Sequence, residues 1–258
     1  MKEFFNKFSL VFADRILRRR IFFTLFFLAL FRVLASIPVP GVDRGRLAQF
    51  FTSNEFFGLL NIFSGGGLSQ LSIVMLGVGP YITGSIIMQL LTIMSPRLKE
   101  MYQEEGEAGR MKFAQYSRLI TVPLAVLQSF SFIKLLESQS VIAHLPPLAL
   151  VTNILVITAG SVLLMWVGEL ITEYGIGNGM SLIIFSGIVA ALPAVISQLA
   201  FSFDPSQIPV YLAFAVIAVI VIVAVVIITE AERPIPVTYA KQVRGNRVYG
   251  GTSTYLPL

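Results

Sequence analysis

Apolar residues in this chain fall in long blocks, separated by short polar or proline- and glycine-rich stretches. Blocks occur at about 21–37, 73–94, 113–136, 148–168, 180–200 and 209–229. Each approaches the ~20 residues that a helix, rising ~1.5 Å per residue, needs to cross ~30 Å of hydrocarbon. The pattern therefore predicts six membrane-spanning helices. The last block is the clearest, with no charged residue between Val210 and Thr229, whereas the first is short and contains Arg32.

The stretches that break the pattern are informative. Pro38 and Pro40 stop the first helix, because proline cannot donate the next backbone hydrogen bond. Phe56 to Phe63 form an apolar run too short to cross a bilayer, and Ser64-Gly65-Gly66-Gly67 follow it. This run is either an ordinary interfacial loop or a short re-entrant segment whose irregular backbone is satisfied inside the protein. The second block is broken in its first half by Gly77, Gly79, Pro80 and Gly84, while Ser85 to Met94 is continuous. Such a break is tolerated where a helix lines a cavity or rests on other helices. Ile82 and Ile86 share one face of this helix, and Ile184 and Ile188 repeat the spacing in the fifth. Spacing alone reads these four as lipid-facing or core aliphatics.

Two connections complete the outline. Gly175, Gly177 and Gly179 alternate between the fourth and fifth spans. With no preceding strand they make no dinucleotide fingerprint, and read as a tight turn needing positive φ. Beyond the sixth span, Glu230 to Pro236 ends the helix. There the Arg244-Gly245-Asn246-Arg247 turn, between Val237-Thr238-Tyr239 and Val248-Tyr249, predicts a protruding hairpin.

Composition sharpens the class. The 258 residues are 55% hydrophobic and 13% charged, with mean hydropathy +0.80. A soluble domain carries nearer a quarter charged residues, so the excess apolar surface belongs against lipid. Of the Lys and Arg residues, six precede the first span, four lie between the second and third, and four follow the sixth; the opposite loops hold only Arg44 and Arg46. The positive-inside rule then places both ends of the chain in the cytosol. No small-residue cleavage site follows the first apolar run, so a removable signal peptide is not expected.

The same inventory limits the chemistry. Absence of cysteine removes disulfides and thiolate sites, and the single histidine, His144, leaves no cluster for a metal. No metal and no cofactor is expected. Arg32, Arg118, Lys134 and Glu169 lie within or beside spans, each near an end, where snorkelling or interhelical pairing accounts for them. Mid-span carboxylates, the usual mark of ion coupling, are absent. An ion-coupled solute transporter is the runner-up, since broken helices are its hallmark too. An intramembrane enzyme is a third reading, but Asp14, Asp43 and Asp204 all lie outside the spans, so an enzyme is not expected.

Two long motifs point to a family. Gly66-Gly67-Leu68-Ser69-Gln70-Leu71-Ser72-Ile73, continuing to Pro80-Tyr81-Ile82-Thr83-Gly84-Ser85-Ile86-Ile87-Met88-Gln89-Leu90-Leu91, closely resembles the second-span signature of the SecY family. Trp166-Val167-Gly168-Glu169 and Ile176-Gly177-Asn178-Gly179-Met180-Ser181-Leu182-Ile183-Ile184-Phe185 resemble its other signature. The corner from Ile37 to Asp43 and the Tyr239-Ala240-Lys241 tail are similar as well, and the bacterial form fits best. The resemblance implies an all-α membrane protein, a polytopic helical bundle holding six spans of a ten-span inverted-repeat channel. Residues 1–200 would form the N-terminal half, and 201–258 would begin the C-terminal half. Spans seven to ten are not in this sequence. The function implied is a protein translocation channel subunit. It would pass unfolded secretory polypeptides across the membrane and release signal or transmembrane segments sideways to lipid.

Carried over position by position, the resemblance puts Ile82, Ile86, Ile184 and Ile188 in an apolar pore ring. It makes residues 57–70 a re-entrant plug, including Leu59, Leu60, Ile62, Phe63, Ser64, Gly65, Gly66 and Gly67. Gln89, Thr92 and Gln128 become candidates at a lateral gate, and Arg244 and Arg247 lie on the loop that meets the motor or ribosome. The implied partners are SecE- and SecG-type small membrane subunits, the SecA motor ATPase and/or the ribosome, signal sequences, nascent polypeptides and the lipid bilayer. The implied location is the bacterial plasma membrane.

Overall fold

The computed structural model describes residues 14–39, 61, 64, 67–68, 70–201, 205–231, 234–238, 242–244, 247–249 and 253–257. Among the described residues, seven α-helices carry the fold: α1 (Arg15–Ser36), α2 (Gly79–Met94), α3 (Pro96–Gln103), α4 (Gly106–Ser138), α5 (Pro147–Tyr174), α6 (Gly179–Phe201) and α7 (Ile208–Thr229). Four of the described helices are long and apolar enough to cross a membrane: α4, α5, α6 and α7, the last preceded by a 3-10 turn at Pro205–Gln207. The chain is a multi-pass membrane protein. Its 22-residue α1 is long enough to span but carries Arg15, Arg18, Arg19, Arg20 and Arg32, and α2 has only 16 residues. Each predicted span thus corresponds to a helix, but the second is shorter than the 73–94 expected.

The reason lies in residues 70–78, which form successive turns instead of helix. Leu71 and Gly77 have φ of 42° and 58°, values that interrupt an α-helix. The backbone is satisfied locally: Met75 N–H donates to the Ser72 carbonyl at 2.9 Å, and Gly77 N–H to that of Val74 at 2.8 Å. It is also tied to the end of α1, where Val39 N–H donates to the Leu71 carbonyl at 2.7 Å and Ile73 N–H to that of Ile37 at 3.0 Å. Helix geometry resumes at Gly79, with Pro80 in the first turn where its missing N–H leaves no bond unmade.

This irregular stretch belongs to two cores at once. Leu71 and Met75 enter a cluster with Val39, Ile133, Leu136, Val141, Ile142 and Ile157. Val74 and Val78 enter a second with Phe31, Ala35, Leu164, Val167, Ile171 and Ile183. Close approach makes this possible. A Cβ on Gly160 of α5 would run into the Ile73 carbonyl oxygen, so only glycine lets the two backbones meet.

α4 packs on its neighbours with small residues. Its buried positions are Gly109, Phe113, Ser117, Thr121, Ala125, Ser129, Ile133 and Leu136, nearly all four apart. A four-residue spacing drifts around a 3.6-residue helix, so the stripe turns from one neighbour to the next along the axis. Ser117 and Thr121 face Gly84 of α2, where a Cβ would sit 3.1 Å from the Thr121 hydroxyl oxygen. Further along, the Ser129 and Thr158 hydroxyls lie 3.4 Å apart across the α4–α5 contact.

Two compact units divide the chain, residues 1–196 and 197–258. In the second, no residue of α7 is buried. Its strands are β1 (Pro234–Thr238), β2 (Gln242–Arg244), β3 (Arg247–Tyr249) and β4 (Ser253–Pro257). β1 pairs antiparallel with β4 and β2 with β3, so the two pairs nest one inside the other. The hairpin expected at Arg244–Arg247 is present. Its tip strand is 242–244, however, because Val237 and Thr238 pair with Thr254 and Ser253 instead.

Candidate functional site

A cavity of about 520 Å³ lies between the irregular entry to α2 and the C-terminal half of α4. Ile82 and Thr83 face it from α2, Gln128 and Phe132 from α4, and Ile184 from α6. Ser64 and Leu68 close it from the chain before α2. The walls are mostly aliphatic, and two of the polar groups are already engaged. Thr83 Oγ1 donates to the Gly79 carbonyl at 3.0 Å. Ser64 is buried: its Oγ donates to the Asn61 carbonyl at 2.9 Å and accepts the Leu68 N–H at 3.1 Å. Gln128 and Ser131 supply the remaining polarity.

The four isoleucines singled out by spacing do not all sit alike. Ile82 and Ile184 come from different helices to the same cavity. Ile86 and Ile188 lie one turn further on, outside its lining, 50% and 42% exposed. Among the proposed plug residues, Ser64 and Gly67 are described; Leu59, Leu60, Ile62, Phe63, Gly65 and Gly66 lie outside the described residues. Gly67 is buried, and a Cβ there would come within 2.9 Å of Ser72 Oγ. Of the gate candidates, Gln128 lines the cavity, Gln89 is exposed, and Thr92 turns its hydroxyl to the Gln89 carbonyl at 2.6 Å. Arg244 and Arg247 are cross-strand partners at the hairpin tip.

Leu68, from the segment expected as the plug, also lines the cavity, as do Leu76, Phe132 and Leu135, which escaped the sequence reading. Phe132 and Leu135 share a face with Gln128 at helical spacing, which is the signal that was there to be used. A surface of branched aliphatics cannot hold an ion or a polar solute in place. What a lining of this kind can do chemically is exclude water and the ions that travel with it. Among the described residues no group of three metal-ligating side chains occurs.

Of the ionisable residues flagged in the spans, Arg118, Glu169 and Lys134 form ion pairs. Arg118 Nε of α4 donates to Glu169 of α5, joining the two helices toward one end. Lys134 Nζ reaches Glu137 at 2.7 Å one turn along α4. Both satisfy their charge within the protein. The glycine turn behaves as expected at one position: Gly177 has φ of 71°. Gly175 and Gly179 serve close approach instead. A Cβ on Gly175 would lie 2.5 Å from Thr24 Oγ1, and one on Gly179 would overlap the Gly168 carbonyl. Thr24 Oγ1 also accepts the Ile176 N–H at 3.2 Å, which docks α1 on this turn. Asn178 Oδ1 accepts the Ser181 N–H at 3.1 Å and caps α6.

Comparison with known proteins places this arrangement. The SecY family profile matches residues 72–258. The protein translocase subunit SecY of Mycobacterium leprae is 45% identical over 256 residues, covering 94% of this chain and 57% of the relative. This chain therefore spans a little over half the length of that relative. A solved protein-conducting channel superposes with a TM-score of 0.61 at 20% identity, over 95% of this chain and 53% of the other. Sec61 in a canine ribosome–channel complex superposes with a TM-score of 0.58 at 20% identity, over 87% and 50%. The two structural likenesses establish a shared fold.

Proposed function

We propose that this chain, which belongs to the SecY family, supplies the N-terminal part of a channel that conducts unfolded polypeptides across a membrane. The observation that carries the reading is the apolar cavity on which Ile82 of α2 and Ile184 of α6 converge beside the Ser64–Leu68 segment. Ile86 and Ile188 extend the same two faces by one turn, so the four form one aliphatic collar. A collar without charge grips no particular sequence, yet it sheds water when empty. That combination suits a pore whose cargo varies at every residue.

The segment around residues 57–70 acts as the plug, and Ser64 within it is held by hydrogen bonds with Asn61 and Leu68. Gln89, Thr92 and Gln128 lie at the lateral gate, through which a hydrophobic segment of the cargo leaves for lipid. The basic hairpin bearing Arg244 and Arg247 meets a SecA-type motor or the ribosome. Small SecE- and SecG-type subunits complete the assembly in the bacterial plasma membrane, with both ends of this chain cytosolic. Residues 1–200 act as one half of the channel, and the segment from 201 begins the other.

The test is electrical. In the full-length subunit reconstituted in planar bilayers, Ile86→Gly with Ile188→Gly should raise resting ion conductance by an order of magnitude or more. Conductance equal to the unmodified protein would overturn the collar. The competing solute transporter predicts saturable, ion-coupled flux and no such leak.

A further inference from the structure

Glu137, at the end of α4, is a carboxylate that the channel reading leaves without a task. Its side chain is only 9% exposed. One oxygen takes Lys134 Nζ at 2.7 Å and the other accepts the Leu145 backbone N–H at 2.9 Å, eight residues ahead. The same carboxylate lies 3.7 Å from His144 Nδ1. It thus staples the loop 139–146, which joins α4 to α5, back onto the helix that precedes it.

That loop reaches the plug hinge. Val141 and Ile142 are buried in the same cluster as Leu71 and Met75, from the turns that connect residue 70 to α2. The Val141 N–H closes on the Leu136 carbonyl at 3.0 Å, so the loop folds directly over the helix end. Both sides of this contact are strained. Among the described residues, two non-glycine residues have positive φ: Leu71 in the hinge, at 42°, and Ser140 in the loop, at 55°. Conformations of this kind persist where the surroundings over-determine them, and they gather at elements that switch.

We infer that Glu137 is a positioning residue for the closed channel: by stapling loop 139–146, it presses Val141 and Ile142 onto Leu71 and Met75 and so holds the turns that lead into α2. The inference rests on the reading of residues 57–70 as a plug. Release of the staple frees the hinge turns, and the strain at Leu71 and Ser140 favours the released state.

These 258 residues contain no cysteine, so in a full-length subunit whose remaining segment is also made cysteine-free, one introduced thiol reports on one place. In the membrane-inserted full-length subunit, Met75→Cys, at a position 1% exposed, should resist a water-soluble maleimide. Adding Glu137→Ala should speed labelling by roughly tenfold or more, since the Leu145 N–H and the Lys134 ammonium lose a charged partner. Glu137→Gln retains an acceptor for the Leu145 N–H and should fall between the two. Ile183→Cys, buried in the other cluster, should stay protected in every variant, which separates local release from unfolding. Resting conductance should rise with labelling. Unchanged labelling of Met75→Cys in both Glu137 variants overturns the staple. Unchanged conductance, in a system where the Ile86→Gly/Ile188→Gly subunit leaks, overturns its role in closure. If the ring variants do not leak either, the channel reading itself has failed.

Discussion

Glycines in this chain look alike in the sequence and unlike in the structure. A Cβ on Gly79 would meet nothing within 4 Å, whereas one on Gly160 would collide with the Ile73 carbonyl. Gly160→Val should therefore destabilise the folded chain by about 1–3 kcal/mol, as overpacking does in cores. Gly79→Ala should stay within about 0.5 kcal/mol of the parent. Thermal unfolding in detergent micelles, followed by circular dichroism, checks both. Equal melting temperatures for the two variants would contradict the packing described. The sequence marked Gly77, Gly79 and Gly84, because they interrupt an apolar block. It was silent on Gly160, which sits within a smooth one, since a contact with residue 73 leaves no local trace. The Arg118–Glu169 pair was half legible in the same way: each residue stood out, but their meeting spans 51 positions.

Elements were read well where a pattern has one cause. α7 is apolar on every side and buries no residue, and hydropathy found it almost to the residue. In α2 two demands compete, membrane depth and the buried turns at 70–78, and hydropathy saw only their sum. Hence a predicted span of 73–94 became a helix of 16 residues from Gly79 to Met94. The hairpin shows the same limit: turn chemistry located its tip, but register depends on pairing across 20 residues. That register makes Arg244 and Arg247 direct cross-strand partners. Like charges so placed repel, so Arg244→Glu should stabilise an isolated 232–258 peptide hairpin by up to about 1 kcal/mol. The same change should weaken docking of a motor or ribosome on the full-length subunit. The peptide's cross-strand nuclear Overhauser effects and a pull-down would separate the two effects. Loss of hairpin structure would refute the register argument.

At the scale of the whole molecule, orientation follows from charge. Fourteen of the 19 Lys and Arg residues fall on one side by the loop count, and two on the other. Single cysteines at Ala143 and at Arg110 should consequently react with an impermeant maleimide from opposite faces of intact cells and inverted vesicles. Labelling from the same face would reverse or break the topology. The cavity's apolar character was legible in advance, because Ile82 and Ile184 belong to recognisable motifs. Its actual boundary was not, since Ile86 and Ile188 obey the same spacing and fall outside the lining.

The tight seat of residues 70–78 against Gly160 also sets a schedule for synthesis. Those turns leave the ribosome about 80 residues before the glycine that receives them, an interval of ~4–16 s at 5–20 residues per second. Throughout it, the turns can close their own hydrogen bonds and those to the end of α1, but Ile157 and Leu164 of α5 are not yet there to complete the two clusters that bury their side chains. Val74 and Met75 therefore stay uncovered until α5 arrives, and the stretch reaches its final packing only then.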